Sequence, residues 1–96
     1  MSYRSVREEP PFWQSVDRIT SDTKRFDDLY FAAQIQIACA PESCPLVSGP
    51  MRMARAQEIP GGPVLRVLFT INSPTLCSVW HADFVPDPGF EEEDTS

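Results

Sequence analysis

The stretch VLRVLFTINSPTLCSVWHADF, residues 64–84, decides the fold of this 96-residue chain. Its first arm, residues 64–71, is apolar, rich in β-branched side chains and bounded by turn residues, which predicts a strand. Residues 72–75 (NSPT) are predicted to be a hairpin turn, and residues 76–84 to be the second arm. Because so short a connection joins only antiparallel strands, the stretch predicts the centre of an antiparallel sheet.

Upstream of this hairpin, the pattern predicts two helices and two further strands. Alternation predicts a short strand at residues 3–7, and helical spacing of apolar residues predicts an amphipathic helix of about three turns at residues 10–19. A second helix is predicted at about residues 24–39, although residues 34–37 also alternate as a strand does. Residues 51–56 are predicted to be a strand. The order is β-α-α-β-β-β, an α+β fold with a helix pair on one face of a small antiparallel sheet.

The charge of the chain is distributed unevenly. The sequence has 8 Lys and Arg against 14 Asp and Glu, and its net charge is −6. Six of the acids and no base lie in residues 83–96, whereas residues 1–82 contain as many bases as acids, and residues 49–82 have an excess of two positive charges. After Pro86 the chain continues as DPG and then has four consecutive acidic residues, 91–94, which predicts a single domain at residues 1–86 and an acidic, disordered tail at residues 87–96.

Several classes of protein are excluded by what the sequence lacks. No stretch is long and apolar enough for a membrane span, and the N-terminus has no apolar segment of a secretory signal. These absences predict a cytoplasmic protein with no membrane partner. Sequence motifs of phosphate-binding loops, serine hydrolases and zinc proteases are also missing, and no cofactor is predicted. Three cysteines cannot all pair within one chain, so a disulfide framework is not expected.

Short motifs in four predicted elements give the chain a resemblance to the RelE/ParE toxin superfamily of bacterial type II toxin–antitoxin modules. Residues 11–19 (PFWQSVDRI) resemble the first helix of that family, and residues 49–52 (GPMR) resemble the start of its first sheet arm. Residues 65–71 (LRVLFTI) resemble its central strand, and residues 78–81 (SVWH) its last strand. The resemblance covers residues 3–86 and implies a toxin with the β-α-α-β-β-β fold.

The resemblance implies either cleavage of messenger RNA in the ribosomal A site or inhibition of DNA gyrase, with a cognate antitoxin as protein partner. By position, Arg66 corresponds to the arginine of the central strand, and Arg52 and Arg55 to basic residues of the first arm. His81 corresponds to a basic residue or histidine near the last strand. RNA cleavage requires deprotonation of a 2′-hydroxyl and stabilisation of a negative phosphorane. These four residues are therefore the candidate catalytic set of a ribosome-dependent endoribonuclease.

Two alternatives to a nuclease remain open at this point. The family's nucleases are strongly basic, whereas no Lys, Arg or Tyr follows His81 in this chain. A non-catalytic acidic interaction or inhibitor domain on the same fold is therefore an alternative. A zinc-stabilised mini-domain is another, because Cys39, Cys44, Cys77 and His81 supply the ligand count of a structural zinc site, although no metal site is predicted from their loose spacing.

The last predicted strand determines which side of the sheet His81 faces. Histidine is the residue type whose ordinary pKa lies closest to neutrality, so a histidine beside a substrate is a candidate general acid or base. Under regular alternation, His81 shares a face with Cys77 and Val79, and Trp80 lies on the opposite face.

Overall fold

The predicted hairpin lies at the centre of a single mixed sheet. The computed structural model describes residues 4–19 and 23–86. In chain order, the described elements are β1 (Ser5–Glu8), α1 (Pro10–Val16), α2 (Thr23–Cys39), a 3₁₀ turn (Pro41–Ser43), β2 (Leu46–Ser48), β3 (Met51–Gln57), β4 (Val64–Ser73) and β5 (Leu76–Val85). The strand order is β1-β5-β4-β3-β2. β1 is parallel to β5, and all the other neighbouring strands are antiparallel. The α+β class predicted from the sequence is confirmed.

The first helix is shorter than its apolar pattern predicts. α1 has seven residues and begins with two prolines, whose missing N–H groups are not needed in a first helical turn. It ends at Val16, because the N–H groups of Arg18 and Ile19 bond to carbonyls three residues earlier rather than four. The amphipathic pattern continues to Ile19, but the backbone is a turn there. By contrast, α2 matches its prediction closely, and residues 34–37 are helical.

Two turns of the structure extend strand pairing beyond the prediction. Gly49 has a φ of 53°, and the turn at Gly49-Pro50 reverses the chain. Residues 46–48 therefore pair with the start of β3 as an edge strand that the sequence pattern did not indicate. At the central hairpin, Ser73 pairs with Leu76, so that the turn itself is shorter than the predicted residues 72–75.

The two helices pack on the same face of the sheet. α1 contacts β5, and α2 contacts β3 and β4. β4 directs alternate side chains into this layer, and its core residues are fully buried together with residues of both helices: Phe12, Ala33, Ile37, Leu65, Val67 and Phe69. The intervening β4 residues lie on the other face, which no described element covers. We call this second face the outer face.

A β-bulge in β5 changes the side of the sheet that the end of the strand presents. Leu68 pairs with His81, whereas the next residue, Phe69, pairs with Val79. Trp80 is therefore an extra residue in β5, and the alternation of side chains shifts by one position after it. The prediction that His81 shares a face with Val79 is wrong for this reason. His81 lies on the outer face, and Ala82 is buried on the helix side. Regular alternation would have buried His81 and Asp83 instead.

Some predictions fall on residues outside the described ranges. The acidic tail at residues 87–96 and residue 3 of the predicted first strand are among them. Within residues 4–19 and 23–86, no helix combines the length and the apolar character that crossing a membrane requires.

Candidate functional site

Three of the four candidate catalytic residues lie on the outer face. Arg55, Arg66 and Asp83 are register partners across β3, β4 and β5, and in the next row Leu68 pairs with His81. We call Arg55, Arg66, His81 and Asp83 the outer-face cluster. The cluster exists because the alternation of β4 and the bulge of β5 direct these side chains to the face opposite the helices. It combines two guanidinium groups, an imidazole and a carboxylate on an open surface.

Arg66 and Asp83 form the strongest polar contact of this cluster. Arg66 Nε donates to Asp83 Oδ1 at 2.8 Å, and Arg66 Nη2 donates to Asp83 Oδ2 at 2.7 Å. This two-point geometry is the favoured arrangement for a guanidinium and a carboxylate. The hydrogen bonds from Arg66 hold the pKa of Asp83 below its usual range, and the same contact raises the pKa of Arg66. Asp83 therefore stays ionised near neutral pH and neutralises much of the charge of Arg66.

His81 lies within reach of the same carboxylate. Its Nε2 is 3.4 Å from Asp83 Oδ2, a long contact. In neutral histidine, a proton on Nε2 would point toward the carboxylate and leave Nδ1 as the proton acceptor. The contact thus favours the tautomer in which Nδ1 can act as a base, in the way that a carboxylate orients the histidine of a catalytic triad.

A cleft beside β5 adds a further cation that the sequence analysis did not single out. β1 pairs with β5 only as far as Val79, and the C-terminal end of α1 lies next to the remainder of the strand. Ser15 Oγ accepts a hydrogen bond from the Ala82 N–H at 2.9 Å, which fixes this end of α1 against β5. The cleft has a volume of about 480 Å³. We call it the edge cleft; it is lined by Ser15, Arg18, Ile19, His81, Ala82, Asp83 and Phe84.

Arg18 could not have been assigned to this site from the sequence. It lies in the turn that follows α1, among polar residues that alone indicate a solvated helix face. Only the packing of α1 against β5 brings it to the same cleft as His81 and Asp83. The signal available in the sequence was the motif of residues 11–19, which contains Arg18 but gives no information about its distance from β5.

A chain of hydrogen bonds supports the bulge next to the cluster. The Trp80 indole N–H donates to Thr70 Oγ1 at 2.9 Å, and Thr70 Oγ1 donates to Asn72 Oδ1 at 2.8 Å. Asn72 Nδ2 donates to Ser78 Oγ at 2.6 Å, and Ser78 Oγ donates to Glu9 Oε2 at 2.8 Å. The hydrogen bond from Ser78 lowers the pKa of Glu9. These contacts tie β4, β5 and the end of β1 together, and thereby fix the orientation of Trp80 beside His81.

Arg52 is separated from the other candidates. Its register partner is the buried Phe69, which places it on the helix side of the sheet rather than on the outer face. Its Nη1 donates to the main-chain carbonyls of Cys44 at 2.7 Å and Glu42 at 3.2 Å. These carbonyls belong to the loop between α2 and β2, so Arg52 serves to hold that loop.

The Arg55 side chain is exposed, and the main-chain carbonyl of Arg55 accepts a hydrogen bond from Gln36 of α2.

The four residues of the possible zinc site do not come together. Cys44 and Cys77 are buried, and burial raises the pKa of both thiols. Cys39 is exposed at the end of α2, and His81 lies on the outer face. No group of three or more potential ligands suited to a metal ion occurs among the residues that the structure describes. The geometry therefore gives no support to a zinc-stabilised domain.

Comparisons with protein-family models, with curated proteins and with solved structures found no match to this chain. The resemblance to the RelE/ParE superfamily therefore stays a prediction from short motifs.

Proposed function

We propose that this chain is the toxin component of a type II toxin–antitoxin module and cleaves ribosome-bound messenger RNA in the cytoplasm. The observation that carries the proposal is the outer-face cluster, in which strand register places Arg55, Arg66 and His81 on one open sheet face with Asp83. The motifs that resemble RelE/ParE toxins add support, as does an α+β fold with a helix pair packed on one face of the sheet. A cognate antitoxin would neutralise the protein by covering this face or the open edges of the sheet.

The proposed chemistry is an attack by a 2′-hydroxyl on the adjacent phosphorus. Nδ1 of His81 takes the proton from the hydroxyl, and the new O–P bond produces a negatively charged phosphorane. The guanidinium groups of Arg55 and Arg66 stabilise that charge, with Arg18 available for a neighbouring phosphate. The bond from phosphorus to the 5′ oxygen then breaks, and the leaving oxygen takes a proton from water. The hydroxide that remains takes back the proton held by His81, which returns the imidazole to its neutral form. The products are a 2′,3′-cyclic phosphate and a 5′-hydroxyl.

The test uses the purified full-length protein with ribosomes programmed by a defined messenger RNA, and detects cuts by primer extension. We expect cleavage by the wild type, and a loss of about 10²-fold or more in rate for His81→Gln, because a general base contributes about 10²–10⁴-fold. Arg66→Gln should lower the rate as well. Lys24→Gln, an exposed change on the helix layer, is the matched control and should cleave normally. Absence of cleavage by the folded wild type would remove the nuclease proposal.

Induced expression in bacteria gives a second test of the toxin proposal. Growth should stop on induction, and co-expression of a neighbouring antitoxin gene should restore it. Arg66→Ala should abolish the arrest. Normal growth at full expression would contradict toxicity, whereas arrest without any cleavage of messenger RNA would direct attention to DNA gyrase as the target.

A non-catalytic interaction domain on the same fold is the second candidate function. The Arg66–Asp83 pair favours it, because Asp83 already occupies two N–H donors of Arg66. No Lys or Arg follows Arg66 in the sequence, so few cations remain to stabilise a phosphorane. This candidate predicts a folded protein that leaves messenger RNA intact on the ribosome and binds one protein partner in a manner that depends on the acidic residues 91–94.

A further inference from the structure

A groove between the two helices exposes aromatic surface on the side of the molecule opposite the outer face. It has a volume of about 350 Å³, and its apolar walls come from both helices and the turn after α1: Trp13, Val16, Ile19, Phe26 and Tyr30. Trp13 is 48% exposed, although tryptophan is among the residues most strongly stabilised by burial. A half-exposed tryptophan in a groove is a characteristic anchor of protein interfaces.

The aromatic side chains at the floor of this groove pack against one another. The Phe26 and Tyr30 rings stack with centroids 5.5 Å apart, and the Phe12 ring lies edge-on to Trp13 at 5.3 Å. The Tyr30 hydroxyl donates a hydrogen bond to Glu8 at 2.6 Å, and burial raises the pKa of Tyr30. A partner would therefore meet a preformed surface and would not have to order these side chains on binding.

The charged residues that line the groove are both acidic. Asp17 follows α1, and Asp27 lies in α2; both side chains are exposed and line the groove. Neither carboxylate has a hydrogen-bond or ion-pair partner within the described ranges. Among the nearby cations, Arg18 lines the edge cleft and Arg25 pairs with Glu58 at 3.0 Å. The apolar groove is thus flanked by unpaired negative charge.

From this combination we infer that the α1–α2 groove binds a basic amphipathic segment of another protein, which inserts one large apolar side chain beside Trp13 and places Lys or Arg next to Asp17 and Asp27. Apolar contact in the groove supplies affinity, and the carboxylates select the sign of the flanking charges. The groove belongs to the helix layer, and it shares Ile19 with the edge cleft beside the outer-face cluster. The inference does not rest on cleavage of RNA by that cluster.

The experiment titrates the ¹⁵N-labelled full-length protein with an alanine-based helical peptide that carries two leucines four residues apart, flanked by lysines. The indole N–H signals of Trp13 and Trp80 report on the groove and on the outer face, and Trp13→Phe assigns them. We expect a saturable shift of the Trp13 signal while the Trp80 signal stays constant. Replacement of both leucines by serine should abolish the shift, and a peptide with Glu in place of Lys should bind more weakly.

Charge variants separate the groove from the general acidity of the chain. Asp17→Asn with Asp27→Asn should weaken binding about five- to tenfold, as expected for the loss of two exposed ion pairs. The matched control, Asp28→Asn with Asp87→Asn, changes the net charge equally and should bind as the wild type does. Equal weakening by both pairs, equal binding of the serine peptide, or an unchanged Trp13 signal would each overturn the inference.

Discussion

The Arg66–Asp83 pair on the outer face should stabilise the protein measurably, and Asp83→Asn is the change that tests it. The pair has two hydrogen bonds of 2.8 and 2.7 Å, and its side chains are 39% and 33% exposed. Fully exposed ion pairs contribute roughly 0.2–1 kcal/mol, and hydrogen bonds to charged groups about 1.5–3 kcal/mol. Because solvent screens this half-buried pair in part, we expect a loss of about 1 kcal/mol at neutral pH. That loss corresponds to a decrease in Tm of about 4–8 °C for a domain of this size.

The pH dependence of this difference has a definite sign. The pKa of Asp83 is lowered in the folded state, chiefly by its hydrogen bonds from Arg66. The stabilisation is therefore fully present above the pKa of an unfolded aspartate, about 3.9, and is lost as the pH falls through the lower folded value. Thermal unfolding followed by circular dichroism should show the full difference between wild type and Asp83→Asn at pH values near 7, and a smaller one below about pH 4.

Asp28→Asn is the matched control, because it removes the same charge from an exposed α2 residue and should change stability by less than about 0.5 kcal/mol. If both variants lower Tm equally, or if the Asp83→Asn difference is as large in acid as at neutral pH, the reasoning about this pair is refuted.

The Asp83→Asn variant also distinguishes binding from chemistry on the outer face. With Asp83 neutral, Arg66 is free to bind phosphate more tightly, while His81 loses the carboxylate that orients it.

Three further predictions concern stability and accessibility. Arg52→Ala should lower the free energy of unfolding by about 1–2 kcal/mol, because two loop carbonyls lose their donor, yet it should leave the activity of the folded protein unchanged; chemical denaturation and the ribosome assay check this. Leu65→Ala should cost about 2–5 kcal/mol, because it empties a fully buried position of β4, and an unchanged denaturation midpoint would contradict the assigned core. A thiol reagent should modify Cys39 at once and the two buried cysteines only on unfolding, so more than one fast-reacting thiol per chain would conflict with the described burial.

The candidate site was only partly predictable from the sequence. The alternation of residues 64–71 is visible in the sequence, and in the structure it directs Arg66 away from the core, because a strand at the centre of a sheet must bury every second residue when helices cover one face. His81 was assigned to the wrong face, because a one-residue bulge leaves no clear trace in the apolar pattern. Asp83 was not among the candidate residues, whereas in the structure it is the ion-pair partner of Arg66. Arg52 was grouped with Arg55. The two residues are three positions apart in β3, however, and residues an odd number of positions apart along a regular strand face opposite sides of the sheet.

The sequence by itself determined the two helices and every strand except β2, since local periodicity and turn residues report directly on which backbone conformation buries apolar side chains. It also determined that the excess acidity lies near the C-terminus. Only the tertiary structure decided that β1 pairs with β5 and that Arg18 reaches the edge cleft. It also decided that Asp83 neutralises the charge of Arg66 and lies beside His81. These contacts join residues far apart in the chain, and their formation depends on strand register and helix packing, which no local pattern contains.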